Sequence, residues 1–183
     1  WRFFFWSSIF LKRFLVSDDN GDDVMDGVDK ILQQWQQARP DLDCSSMGVV
    51  GRIRRAANFW EQVHGQVCGD AGISAIEFDI LATLRRSVEP VTPTTLYKTL
   101  MISSGAVSTR LEGLVQKGWV HRVASESDRR SNRVTLTEDG VAFLDQVLEA
   151  HVASMEQHLT CLDSEERNAL ESLLSKFLQA EVE

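Results

Sequence analysis

The sequence predicts a mainly α fold with a small β-hairpin: a winged helix-turn-helix carrying N- and C-terminal dimerisation helices. Three features predict it. Two short helical segments flank a tight bend at Met101-Ile102-Ser103, two β-rich runs follow them directly, and long amphipathic stripes occupy both ends of the chain. With 183 residues, 43% of them apolar and 25% charged, the chain is long enough to bury a core. Three prolines and eleven glycines exclude a fibrous or largely disordered protein. No uncharged apolar run reaches the roughly eighteen residues of a membrane span. Cys44, Cys68 and Cys161 are too few and too widely spaced for a disulfide framework or a zinc site.

The elements are expected in this order. Residues 1–24 are aromatic-rich, end in an acidic spacer and lack a signal-peptide cleavage site. They are read as an extension, disordered or a start-site artefact, with the natural chain beginning at Met25. Arg2, Lys12 and Arg13 on one side also admit a membrane-surface helix. Residues 25–72 form N-terminal helices of a dimer lobe, over about 24–37 and 46–67. The first ends before Arg39-Pro40, because proline disfavours helix in its predecessor. The winged helix-turn-helix lobe spans 73–140. Ser74 and Glu77 form a capping box for a helix ending near Arg86. Thr92-Pro93 is an N-cap followed by proline at the first helical position, opening a helix to about Leu100. Ser104 to Lys117 is the second helix of the pair, closed by Gly118. The runs 119–124 and 133–137 make the hairpin, joined by an arginine-bearing loop. Residues 141–183 complete the C-terminal dimerisation helices, whose apolar stripes (Leu144, Val147, Leu148, Val152; Leu170, Leu173, Leu174, Phe177) demand a cover that a symmetric dimer supplies.

The net charge of −8 argues against a polyanion partner only until it is mapped. Residues 93–136 hold seven Lys and Arg against three Asp and Glu, whereas 137–183 hold two against eleven. Local charge is what a polyanion feels within a Debye length. On a helix turning about 100° per residue, Val107, Leu111, Leu114 and Val115 share an inner face. Beside Glu112, the outer face holds Gly105, Ser108, Thr109 and Gln116; with Ser104 at the helix start, small polar residues in the N-terminal half let such a helix enter a major groove. At the hairpin tip, Arg129 and Arg130 suit a narrow minor groove, with Asp128 able to hold one of them in place. These seven residues are the candidate contacts to double-stranded DNA, in a palindromic operator. An ordinary solvated face is the plain alternative.

Ser103-Ser104-Gly105-Ala106-Val107-Ser108-Thr109-Arg110-Leu111, Asp128-Arg129-Arg130-Ser131 and Val134-Thr135-Leu136-Thr137-Glu138-Asp139-Gly140 resemble the MarR family of dimeric bacterial transcription regulators. The likeness runs from about residue 25 to the C-terminus. Gln34-Trp35, Arg39-Pro40-Asp41-Leu42-Asp43, the stretch Glu77 to Arg86 and Gly118-Trp119 are similar to its urate-responsive PecS branch. That resemblance implies a repressor whose DNA affinity falls when urate, or another small aromatic anion, binds between the DNA-binding and dimer lobes. It places the ligand on Trp35, Asp79, Arg110 and Arg122. The residues themselves agree in part: Arg110 falls beside the buried stripe, Asp79 interrupts an apolar helix, and a tryptophan offers a flat ring to stack on. The competing reading is a structural Asp79–arginine salt bridge with Trp35 as core.

Three other classes were weighed. A thiol-based redox regulator of the same family would use Cys44 near a helix start, but Tyr97 is the single tyrosine available beside it. An enzyme is not expected, since no nucleotide-binding glycine loop, catalytic triad order or histidine metal set occurs; His151 and His158 are too far apart for an i, i+4 clamp. No cofactor or metal is called for. A winged helix used only for protein contacts is the remaining option. The expected location is the cytoplasm.

Overall fold

The structure, a computed structural model, describes residues 25–124 and 132–180. The extension 1–24 and the hairpin tip with Asp128, Arg129 and Arg130 lie outside the described residues. The chain divides into two compact units, between Phe59 and Trp60.

In the first unit, helix α1 spans Gly27–Ala38. It starts three residues later than the sequence suggests because Asp26 caps it. The Asp26 carboxylate accepts the Val28 and Asp29 amides at 2.6 and 3.1 Å, and Asp29 accepts the Asp26 amide at 2.9 Å. Helix α2 covers Ser46–Asp70, with the division between the units inside it. Its Arg52 bridges Asp26 at 2.9 Å and Asp29 at 2.7 Å, tying the α1 cap to the start of α2. Gly51 permits the approach: a Cβ there would stand 3.2 Å from a Val28 methyl, and Val28 is buried. Val49 and Val50, read from sequence as part of an inner stripe, are instead exposed by 64% and 55%.

The second unit holds the main core. After Gly72, which turns the chain at φ +74°, come helices α3 (Ala75–Arg86), α4 (Pro93–Leu100) and α5 (Ser104–Gln116). Strands β1 (Val120–Ala124) and β2 (Asn132–Leu136) pair antiparallel, Val120 opposite Leu136 and Arg122 opposite Val134. Helix α6 (Glu138–His158), a 3₁₀ turn (Leu159–Cys161) and helix α7 (Ser164–Ala180) complete it. The local signals act as expected. Ser74 and Glu77 form the capping box of α3, Thr92 caps α4 with Pro93 at its start, and Gly118 closes α5 at φ +75°. Between α4 and α5 the chain turns on Met101, held at φ 53° and ψ 35°, a left-handed conformation that costs a non-glycine residue about 1 kcal/mol.

Ile80, Leu81, Leu96, Val107, Leu114, Val120, Val134 and Leu144 are buried to 2% exposure or less, so α3 to α6 and the hairpin close on a single centre. A bridge absent from the sequence reading adds a third rung to the hairpin: Val91 and Val134 exchange backbone hydrogen bonds at 3.0 and 2.8 Å. Along α6 and α7 an open groove of about 1290 Å³ is lined by Met155, Leu159, Leu170, Leu174 and Leu178. Among the described residues, no helix is long and apolar enough to cross a membrane.

Candidate nucleic-acid interface and effector-site residues

Helix α5 has two faces. Val107, Leu111 and Leu114 are buried, while Ser104, Gly105, Ser108, Thr109 and Gln116 are exposed. Ser103 caps its start, its hydroxyl accepting the Ala106 amide at 3.2 Å. A Cβ at Gly105 would meet nothing within 4 Å, so backbone is open to an approaching surface there. At the other end, residues 117–119 are held from two sides. The Lys117 ammonium donates to Glu77 at 3.0 Å and lies 5.0 Å over the Trp119 ring. Trp119 stacks on Phe143 of α6 at 3.8 Å and 11°. The Thr137 hydroxyl donates to the Gly118 carbonyl at 2.7 Å. Gly140 is the only residue type that fits the first turn of α6, because a Cβ would overlap the Trp119 carbonyl oxygen.

Glu77 and Thr83 are the buried polar residues among those described. Burial alone would raise the Glu77 carboxyl, but the Ser74 amide and hydroxyl and the Lys117 ammonium outweigh it and hold it below the usual range.

The four residues expected at the ligand site are distributed as follows. Trp35 lies on α1 in the first unit, 41% exposed, and so is not a core residue of that unit. Asp79 is on α3, Arg110 on α5 and Arg122 on β1. Among the described residues these three are not bonded to one another. Arg122 pairs with Glu112 at 2.8 Å, and Arg110 is exposed with no ion pair among the described residues. The Asp79–arginine bridge of the competing reading does not occur among the described residues; His64 Nε2 instead stands 3.8 Å from Asp79 Oδ1. Asp79 sits above its usual range, chiefly through burial and partly through Glu61, with His64, Arg86 and His151 pulling the other way.

This histidine centre escaped the sequence reading. His64, Phe78 and His151 come together from α2, α3 and α6, with ring centroids 4.9–5.2 Å apart. His151 is pushed down by burial and by His64, against a smaller opposing effect of Asp79. Its Nδ1 is buried with no hydrogen-bond partner. Cys68 Sγ lies 3.8 Å from His64, and burial with the nearby Asp79 charge pushes its thiol up to about 11, which makes it a poor thiolate. Cys44, the candidate redox residue, stands half-buried just before α2. No cluster of three or more His, Cys, Asp and Glu suited to a metal occurs among the described residues.

The sequence family described as MarR family matches residues 71–131, from the end of α2 into the wing. Over 151 residues the chain is 38% identical to the HTH-type transcriptional regulator PecS of Dickeya dadantii, covering 81% of this chain and 91% of that protein. The chain belongs to the MarR family. A MarR-family transcriptional regulator, it is not an enzyme. Its fold is similar to that of a MarR variant from E. coli crystallised with operator DNA, at 29% identity and a TM-score of 0.61, covering 79% of this chain and 97% of that one. It is also similar to BpsR of Bordetella bronchiseptica, whose structure concerns regulation of DNA binding by 6-hydroxynicotinic acid, at 26% identity and TM-score 0.61 over 70% and 91% of the two chains.

Proposed function

We propose that this MarR-family chain acts in the cytoplasm as a homodimeric repressor. It binds a palindromic operator through α5 and the wing, and a small aromatic anion such as urate weakens that binding. The observation that carries the proposal is the two-faced α5: a buried apolar stripe fixes it in the core while Ser104, Gly105, Ser108, Thr109 and Gln116 are presented outward. The E. coli MarR variant that binds operator DNA shares the fold. Arg129 and Arg130 are assigned to the minor groove on sequence grounds. Residues 25–72 and 141–183 are assigned to the dimer lobe. The exposed Leu173, Phe177 and Leu178, at 66%, 51% and 62%, need covering, and a second copy covers them symmetrically.

Trp35, Asp79, Arg110 and Arg122 are assigned to the effector. Arg110 has a guanidinium without an ion pair among the described residues, a ready partner for an anion. Arg122 must first leave Glu112, which lowers intrinsic affinity and makes the response depend on a local rearrangement. BpsR, whose DNA binding is regulated by 6-hydroxynicotinic acid, supports the ligand class rather than urate itself. Half-sites lie about 34 Å apart, so a small respacing of two recognition helices weakens both contacts together.

The test is a gel-shift titration with and without urate. Urate is expected to weaken operator binding by about 5–150-fold, the usual span of a coupling free energy. Arg110→Ala should keep DNA binding and lose that response. Retention of the full urate effect in R110A removes Arg110 from the site. Equal urate affinity for free and DNA-bound protein rejects the allosteric scheme, since linkage is reciprocal.

A further inference from the structure

We infer that Lys117 is a positioning residue for DNA binding, an inference that rests on the operator-binding reading above. Through Glu77 and Trp119 it pins the C-terminal end of the recognition helix α5, so that α5 swings about this end and its groove-facing N-terminal half moves.

Contacts from Glu77, Phe143, Thr137 and Gly140 converge on residues 117–119. Glu77 divides its two oxygens: Oε2 accepts the Ser74 amide at 2.8 Å and hydroxyl at 2.7 Å, and Oε1 accepts Lys117 at 3.0 Å. The cap of α3 is therefore complete without Lys117, and the ammonium's role lies elsewhere. Its side chain crosses to the Trp119 ring, which is stacked flat on Phe143. The Thr137 amide donates to the Trp119 carbonyl at 3.0 Å, and Gly140 packs against that carbonyl. The last turn of α5 is thus locked to α3 on one side and α6 on the other. Its first turn carries no charged side chain and is held by the Ser103 cap and the apolar stripe beneath it. The Glu77–Lys117 side chains are 12% and 37% exposed, more shielded than Arg122–Glu112 or Arg85–Asp145, so solvent weakens this pair least. A buried ion pair adds little net stability over an apolar substitute, and a fixed geometry is its better-attested use. Over the 13 residues of α5, at about 1.5 Å of rise each, a tilt of about 5° at Lys117 displaces Ser104 by about 1.7 Å. That is enough to break hydrogen-bond register with base edges.

The experiment compares Lys117→Met, Lys117→Arg, Glu77→Gln and the Met/Gln double variant. The probe is a DNA duplex enriched by the unaltered protein from a random-sequence pool, used at two salt concentrations, with a thermal melt of each variant. K117M and E77Q are each expected to bind about tenfold more weakly, and the double variant about tenfold rather than a hundredfold, because the two act as one unit. K117R should restore binding, and the slope of log affinity against log salt should stay unchanged. If K117M weakens binding with its salt slope reduced by about one while E77Q binds normally, Lys117 touches a phosphate and the inference is overturned. Normal binding by every variant overturns it too and leaves the DNA reading intact. Should E77Q melt below the assay temperature, K117M, K117R and the salt slope decide alone. Failure to enrich any duplex rejects the DNA reading itself, and the inference with it.

Discussion

His151 illustrates how a single buried nitrogen writes a pH dependence into the fold. Its Nδ1 has no acceptor, and burial with His64 nearby lowers its proton affinity below the ordinary imidazole value near 6.5. Between the lowered value and about 6.5, the unfolded chain holds a proton that the native chain refuses. This contribution to stability is therefore complete above about pH 6.5 and is lost as pH falls below it. Asp79, raised above its usual range by burial, acts with the opposite sign. The melting temperature should accordingly fall between pH 7.5 and 5.5, and His151→Gln should flatten that fall. An equal fall in the variant means that another group governs this window. Nothing in the sequence revealed the centre, because His64 and His151 are 87 positions apart on helices whose facing was not known. The Asp79 partner was missed for the same reason: an arginine was sought, and a histidine stood there.

At the scale of elements, the start of α6 is the most constrained joint. Gly140 lies in its first turn against the Trp119 carbonyl, and backbone on both sides leaves nothing free to shift. Gly140→Ala should cost about 1–3 kcal/mol, the usual price of overpacking. Gly113 in α5 has open space where a Cβ would go; there alanine should gain up to about 1 kcal/mol through helix propensity. Urea unfolding of the two variants checks both, and the same sign at both positions refutes the close approach. The helices were legible because their signals are local. Ser74 with Glu77, Thr92 with Pro93, Gly118 and Thr137 each act within four residues of the end they set. The Val91–Val134 rung, Arg122–Glu112 and Glu77–Lys117 were not legible, since each depends on how two elements cross.

Considered as a whole, the molecule divides its charge and apolar surface between tasks. Basic residues concentrate in 93–136, and the acidic C-terminal segment carries the uncovered leucines of α7. If that face closes a dimer, Leu174→Asp with Phe177→Asp should yield a monomer that keeps its helices. Operator binding should then fall at least about a hundredfold, because the second half-site contact no longer benefits from linkage. Sedimentation with circular dichroism reads both effects, and a persistent dimer excludes this face. The order of helices and strands in the winged core was readable from sequence. The proposed effector site stays a list of residues, since Trp35 and Asp79 fall in different compact units.

Helix α6 begins as a wall of the core and ends as an arm. Leu144 and Val147 are buried, whereas Leu148 and Val152 are 39% and 46% exposed. Beyond His151, which packs against His64 and Phe78, its length to Leu159 therefore serves as a ruler as well as a connection. One extra residue there turns everything beyond it by about 100°, setting the arm out of phase with the wall. Seven extra residues restore the phase to within about 20° while advancing α7 by about 10 Å. If α7 closes the proposed dimer, natural variation in this stretch should come in whole pairs of turns, and each such step would change the span of DNA that the two copies straddle without altering a residue proposed to touch it.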